Sequence, residues 1–149
     1  MNQINFQFHE IKCTLRNRTL LRQHLLALFK KYQRKVDTVN YIFCSDEFLR
    51  EINKNSLHHD YYTDIITFDL SEENAIVSDI YISVDRIREN AISYKVFFKD
   101  ELIRVISHGA LHLCGLKDKS TSDIIMMRKA EDQFLHSLHK KVSRNTVSK

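Results

Sequence analysis

The chain has 149 residues, 43% of them hydrophobic and 28% charged, with a formal net charge of +4. That composition predicts one ordinary globular domain, which at this length buries about 68–70% of its extended surface without staples. No apolar run is long enough to span a membrane, the N-terminus lacks the regions of a signal peptide, and Cys13, Cys44 and Cys114 are too scattered for a disulfide framework, so a cytoplasmic protein without membrane contact is expected.

Asn2–His9 is predicted as a strand, because Ile4, Phe6 and Phe8 alternate with polar neighbours. Thr19–Tyr32 has helical periodicity, with Leu21, Leu25, Leu28 and Phe29 on one face. Thr38–Cys44 is a second strand, and Ser45 N-caps a helix from Asp46 to about Asn55. Asp64–Leu70 is almost continuously apolar at Ile65, Ile66, Phe68 and Leu70, which suits a strand covered on both faces. Asp79–Val84 alternates strictly and is expected nearer an edge.

The second half is helical. Asp85–Tyr94 forms a short helix, and Asp100 caps a longer one running to Cys114, with Ile103, Ile106, Ala110, Leu111 and Leu113 buried. Gly115 stands where a left-handed residue ends that helix. Ser120–Asp123 starts the last helix, to about His139, and residues 140–149 form a polar, frayed tail. The expected fold class is α+β, a single domain over residues 1–149 with a four-stranded mixed sheet packed with about five helices. The link between the last two strands is too short for a crossover, so they pair antiparallel.

Charge is unevenly placed. From Ile11 to Val36 there are eight bases, among them Lys30, Lys31, Arg34 and Lys35, and no acid. Such a block marks a polyanion partner, since Lys and Arg contacts to phosphates release counterions. A solvated helix face is the alternative.

Average usage would supply roughly ten glycines and seven prolines. This chain has two glycines and no proline, and both glycines, Gly109 and Gly115, sit beside His108 and His112. Histidines four apart on a helix point the same way, as a helix offers two nitrogens to zinc. Eight histidines in 149 residues give about 0.4 such pairs by chance, so the pair needs context. Gly115 turns the chain, and Asp118 comes back within reach. Two imidazoles and a carboxylate predict one zinc ion per chain with an open position, a zincin-like site on a helix. Arg104, four residues before His108, shares that face and is positioned to clamp a phosphate.

The block His108-Gly109-x-Leu111-His112-Leu113-x-Gly115 with a ligand at Asp118 resembles the signature of the YbeY family of bacterial rRNA-maturation factors. Thr63-Asp64-Ile65-Ile66-Thr67-Phe68 and Asp79-Ile80-Tyr81-Ile82-Ser83 resemble two further blocks of that family, and Asn53 also has a counterpart. The resemblance spans most of the chain. It implies an α+β fold and a metal-dependent endoribonuclease specific for single-stranded RNA, acting in 16S 3′-end maturation and ribosome quality control. It further implies ribosomal RNA and the small ribosomal subunit as partners; the acid-free basic block, with Lys30, Lys31, Arg34 and Lys35, is expected to contact that RNA, and a monomer is expected.

Three positions depart from the family pattern. Asp118 replaces a histidine ligand, Leu57 replaces an arginine, and Ser78 replaces a glycine. Arg104 and the loop histidine His58 are the catalytic candidates that could compensate, with His59 beside it. A zinc-stabilised RNA- or ribosome-binding factor without catalysis is the second function class. A metzincin-like metalloprotease shares the ligand spacing but needs a glutamate directly after the first histidine, where this chain has Gly109.

Overall fold

Alternating Ile4, Phe6 and Phe8 do form a strand, β1 (Gln3–Phe8), in the computed structural model, which describes residues 2–147. It runs parallel to β2 (Lys35–Cys44), which runs parallel to β4 (Ala75–Ser83). The strand β3 (Ile65–Asp69) closes the sheet antiparallel to β4, in the order β1-β2-β4-β3. The expected mixed four-stranded sheet is therefore present, with five helices among the described residues. These are α1 (Arg18–Lys31), α2 (Asp46–Leu57), α3 (Val84–Tyr94), α4 (Phe98–Leu113) and α5 (Thr121–Val147). None of them is long and apolar enough to cross a membrane.

Side chains alternate across the sheet, so each strand feeds two different interiors. Ile4, Val39, Tyr41, Phe43, Ile80 and Ile82 form one buried face with Leu21, Leu25 and Phe29 of α1, Leu102 and Ile106 of α4, and Phe134 and Leu138 of α5. On the other face Leu49 of α2 packs with Cys44 and Ile66. Beyond α2 that face is polar: the Asn5 amide donates to Asn40 at 2.9 Å, and the Asn40 amide donates to Asp79 at 3.1 Å.

β3 is covered on both faces as expected, but it is the edge of the sheet, and β4, expected nearer an edge, lies between β2 and β3. The reason is local. β3 has α4 on one face, against Ile65, and the Leu49 cluster on the other, against Ile66, so an edge strand is covered twice. β4 carries Ile76, Ile80 and Ile82 on its core face, and buries Ser78 there by donating its hydroxyl to the Phe68 carbonyl at 2.7 Å.

Smaller corrections concern element ends. Val84 begins α3 instead of ending a strand, because the Ser83 hydroxyl caps that helix by accepting from the Arg86 amide. Asp100 is not the cap of α4: the helix starts at Phe98, with Phe97 in the cap position and Asp100 in the first turn. There Asp100 accepts a hydrogen bond from His139 at 2.8 Å, pinning α5 alongside. The residues set apart as a tail from Lys140 continue α5 to Val147, and 148–149 lie outside the described residues.

Candidate metal centre

The two glycines build the site. A Cβ on Gly109 would lie 3.0 Å from Ile65 and 3.2 Å from Ile80, so its absence lets α4 settle closely on β3 and β4. Gly115 takes φ +99°, a conformation that costs little only without a side chain. Its amide donates to the His112 carbonyl at 2.9 Å and the Leu116 amide to Leu111 at 3.1 Å, the paired bonds of a Schellman turn. That turn also sends the Leu116 carbonyl back toward α4, where it accepts from His112 Nδ1 at 3.0 Å. Two residues before His108, the buried Tyr41 hydroxyl donates to the Ile106 carbonyl at 2.9 Å and ties the helix to the middle of the sheet.

His108, His112 and Asp118 come together as expected. Asp118 Oδ2 lies 3.3 Å from Nε2 of both His108 and His112, and the three ligating atoms all fall within 4.8 Å of one another. Both Nδ1 atoms are occupied. His108 Nδ1 lies 2.6 Å from Glu131 Oε2, and His112 Nδ1 faces the Leu116 carbonyl. A carboxylate and a carbonyl only accept, so each Nδ1 carries a proton and Nε2 is the nitrogen that each ring turns toward Asp118. The donor set thus fits a divalent metal, with both histidines held through their second nitrogen.

Glu131 is the residue that sequence reasoning missed. It is 5% exposed on α5, within the stripe formed by Met127, Phe134 and Leu138. An acid on an apolar helix face was the available signal. Its other oxygen accepts from Arg104 at 3.0 Å, and Arg104 also donates to Asp132 at 2.6 Å. Arg104, expected to clamp a phosphate, therefore has its guanidinium held by two carboxylates of α5. Burial works against the His108 imidazolium, yet Glu131, with Asp118 and Asp64, outweighs it and raises the pKa above the ordinary value. Burial pushes the Cys114 thiol up to about 11, so it stays protonated beside the site.

A cleft of about 510 Å³ opens in front of this group, bounded by Asp118 and His112 on one side and by β3 and the loop after α2 on the other. Its loop wall includes Leu57, His59 and Tyr61, whereas His58 caps α2 in the left-handed conformation and stands outside the lining. The buried Asn53 amide donates to the Tyr61 carbonyl at 3.1 Å, which accounts for its place in the sequence pattern. Tyr62 is gripped between the guanidinium groups of Arg50 and Arg86, at 5.0 and 5.3 Å from its ring, and fixes the loop from outside. Asp64 lines both this cleft and a smaller hollow of about 320 Å³ behind His108, and burial raises its carboxyl above the usual range.

Lys30, Arg34 and Lys35 surround a hollow at the α1–β2 turn, and Lys31 lies in the groove between α1 and α5. None of the four lines the cleft. Arg34 is near enough to Cys114, two residues past His112, to oppose part of the rise that burial causes in its pKa.

Comparison with known proteins adds a family to this geometry. The family model for Endoribonuclease YbeY matches residues 3–139. The protein named Endoribonuclease YbeY from Porphyromonas gingivalis is 41% identical over 142 residues, covering 95% of this chain and 94% of its own. That of Cytophaga hutchinsonii is 51% identical over 122 residues, 81% of this chain and 85% of its own. The solution structure of TM1509 from Thermotoga maritima superposes with a TM-score of 0.66 at 25% identity, covering 98% of this chain and 95% of that one.

Proposed function

The chain belongs to the Endoribonuclease YbeY family, and we propose that it is a metal-dependent hydrolase that cuts single-stranded RNA during maturation of the 16S 3′ end and in ribosome quality control. The observation that carries this is the convergence of His108 Nε2 and His112 Nε2 on Asp118 Oδ2, each at 3.3 Å, with both Nδ1 atoms already engaged.

Those three residues would hold one zinc ion, whose chemistry when bound is to acidify a water and polarise a phosphoryl oxygen. The protein's own groups do the rest. Glu131 keeps the His108 proton on Nδ1, and Arg104 holds Glu131 in place. Asp64, a carboxyl lining the cleft, takes the proton released as a hydroxyl oxygen attacks phosphorus and returns it to the ester oxygen that leaves as the P–O bond breaks. The bases at Lys30, Lys31, Arg34 and Lys35 hold the strand beyond the cleft, on ribosomal RNA presented by the small subunit. The protein acts as a cytoplasmic monomer.

Gly109 argues against protease chemistry. Its missing side chain would point at Ile65 and Ile80 in the core, so that position offers no general base to the cleft. A non-catalytic RNA-binding factor is favoured by one observation: Leu57, an apolar residue, lines the cleft where the family signature has an arginine. Incubating the protein with single-stranded and duplex RNA, with and without chelator, tests both. Cleavage of single strands that stops with chelator supports the nuclease. Binding without cleavage supports the factor.

A further inference from the structure

β3 has a free edge, and that edge faces the cleft. The antiparallel ladder with β4 is bracketed by the Ser83 amide donating to the Asp64 carbonyl at 2.9 Å and the Leu70 amide donating to Val77 at 2.8 Å. In such a ladder every second residue turns its N–H and C=O toward the partner and the next turns them away. With the register Ile66↔Tyr81 and Phe68↔Asp79, the residues aimed outward are Ile65, Thr67 and Asp69. All three line the cleft that holds His108, His112 and Asp118.

Ile65 is satisfied locally. Its carbonyl accepts from the Thr63 hydroxyl at 3.4 Å, and its amide serves the Asp64 carboxylate. Thr67 is different: among the described residues nothing pairs with its outward N–H or C=O. It presents a donor and an acceptor side by side, midway along the cleft. On the loop wall of the same cleft the rings of His59 and Tyr61 stack at 5.3 Å and 19°, joined by a hydrogen bond of 3.1 Å between the Tyr61 hydroxyl and His59 Nδ1. Tyr61 is 54% exposed, an aromatic surface held ready by its neighbour and by the Asn53 anchor.

A donor beside an acceptor matches the Watson–Crick edge of a nucleobase, and an exposed aromatic face matches its ring. We propose that the outward backbone of Thr67, together with the His59–Tyr61 stack, forms a nucleobase subsite that seats one unstacked base of single-stranded RNA beside the His108–His112–Asp118 group. It rests on the endoribonuclease reading and gives it a physical basis for strand specificity, since a base inside a duplex cannot offer that edge. An extended peptide could also seek a strand edge, but strand addition needs a run of outward pairs. This edge offers two such residues after Ile65 is satisfied, the second carrying the Asp69 carboxylate.

The test scans a single abasic nucleotide along a single-stranded oligoribonucleotide. Binding is measured by fluorescence anisotropy in chelator, and cleavage separately with zinc. One abasic position should weaken binding about tenfold, as loss of one stacked base does. In Tyr61→Ala that position should lose its special effect, while the other positions keep theirs. Thr67→Pro removes the outward donor on an edge strand, where proline is tolerated, and should act likewise. Thermal melting checks its fold, and Tyr61→Ala stands alone if Thr67→Pro unfolds. The subsite is overturned if no abasic position stands out, if the variants retain the discrimination, or if unstructured peptides displace the RNA from this edge. Absence of cleavage with the discrimination intact would remove the nuclease activity and leave the subsite standing.

Discussion

Glu131 Oε2 sits 2.6 Å from His108 Nδ1, so a residue of α5 decides which nitrogen of an α4 imidazole is left to bind a metal. Free imidazole carries its proton on either nitrogen, and the Glu131 carboxylate removes that freedom. Glu131→Ala should weaken zinc binding by about 10- to 100-fold in chelator competition. Glu131→Gln, which still accepts through its amide oxygen, should lie between. Arg104→Ala should follow Glu131→Ala in direction with a smaller effect, and imidazole ¹⁵N shifts of the metal-free variants should show His108 losing its single tautomer. Unchanged shifts in Glu131→Ala would separate the two residues.

His112→Ala should remove most bound zinc, because two remaining donors make a poor site. Asp118→His should keep the metal, restoring the three-histidine set of the family pattern. Metal analysis of purified protein decides both.

Reversing Lys30, Lys31, Arg34 and Lys35 to Glu should weaken RNA binding and flatten its salt dependence, by about 0.7 in the log–log slope for each phosphate that is no longer neutralised. Zinc content should not change, since none of the four lines the cleft. A slope equal to that of the unaltered protein would move the RNA path elsewhere.

Glu101 is 5% exposed, and burial lifts its pKa more than nearby Arg104 pulls it down. A carboxyl whose folded pKa is raised binds its proton more tightly in the native state. Its favourable contribution is therefore present at acid pH and lost as pH rises through the folded value. Glu101→Gln cannot ionise. Urea denaturation from about pH 4 to pH 7 should show the variant gaining on the unaltered protein as pH rises. Asp64, shifted the same way by burial, leaves a residual slope.

With glycine so scarce, side-chain-bearing residues occupy left-handed turns, among them Lys95 at the end of α3 with φ 57°. Lys95→Gly should raise stability by about 0.5–1 kcal/mol, the relief of left-handed strain less the added entropy of the unfolded chain. A lower melting temperature would contradict this.

The meeting of His108, His112 and Asp118 was legible because everything that brings them together is local. A helical period, a glycine at the helix end and an acid three residues on lie within one stretch of chain. Glu131 was hidden because its partner reaches it only through the packing of α5 on α4, which no spacing encodes. Arg104 was placed on the correct face, but the carboxylates it meets belong to that same hidden contact. β4 lies inside the sheet and not near an edge for a related reason: apolar content reports how much of a strand is covered, and β3 is covered by two helices while itself forming the edge. His58 and His59 differ by one residue, and only the left-handed cap at His58 decides that His59 faces the cleft.

Tyr41 reaches from the sheet to the Ile106 carbonyl, so the helix bearing both histidines is bolted to the centre of the domain. Asp118 stands in an exposed, irregular stretch beyond the helix, where its carboxylate meets the two imidazoles. Amides of α4 should then exchange with solvent only when the whole protein unfolds, while those around Asp118 exchange through small local openings. The site has two clocks. Asp118 and the two imidazoles it faces thus sit on parts of the chain that open at different rates.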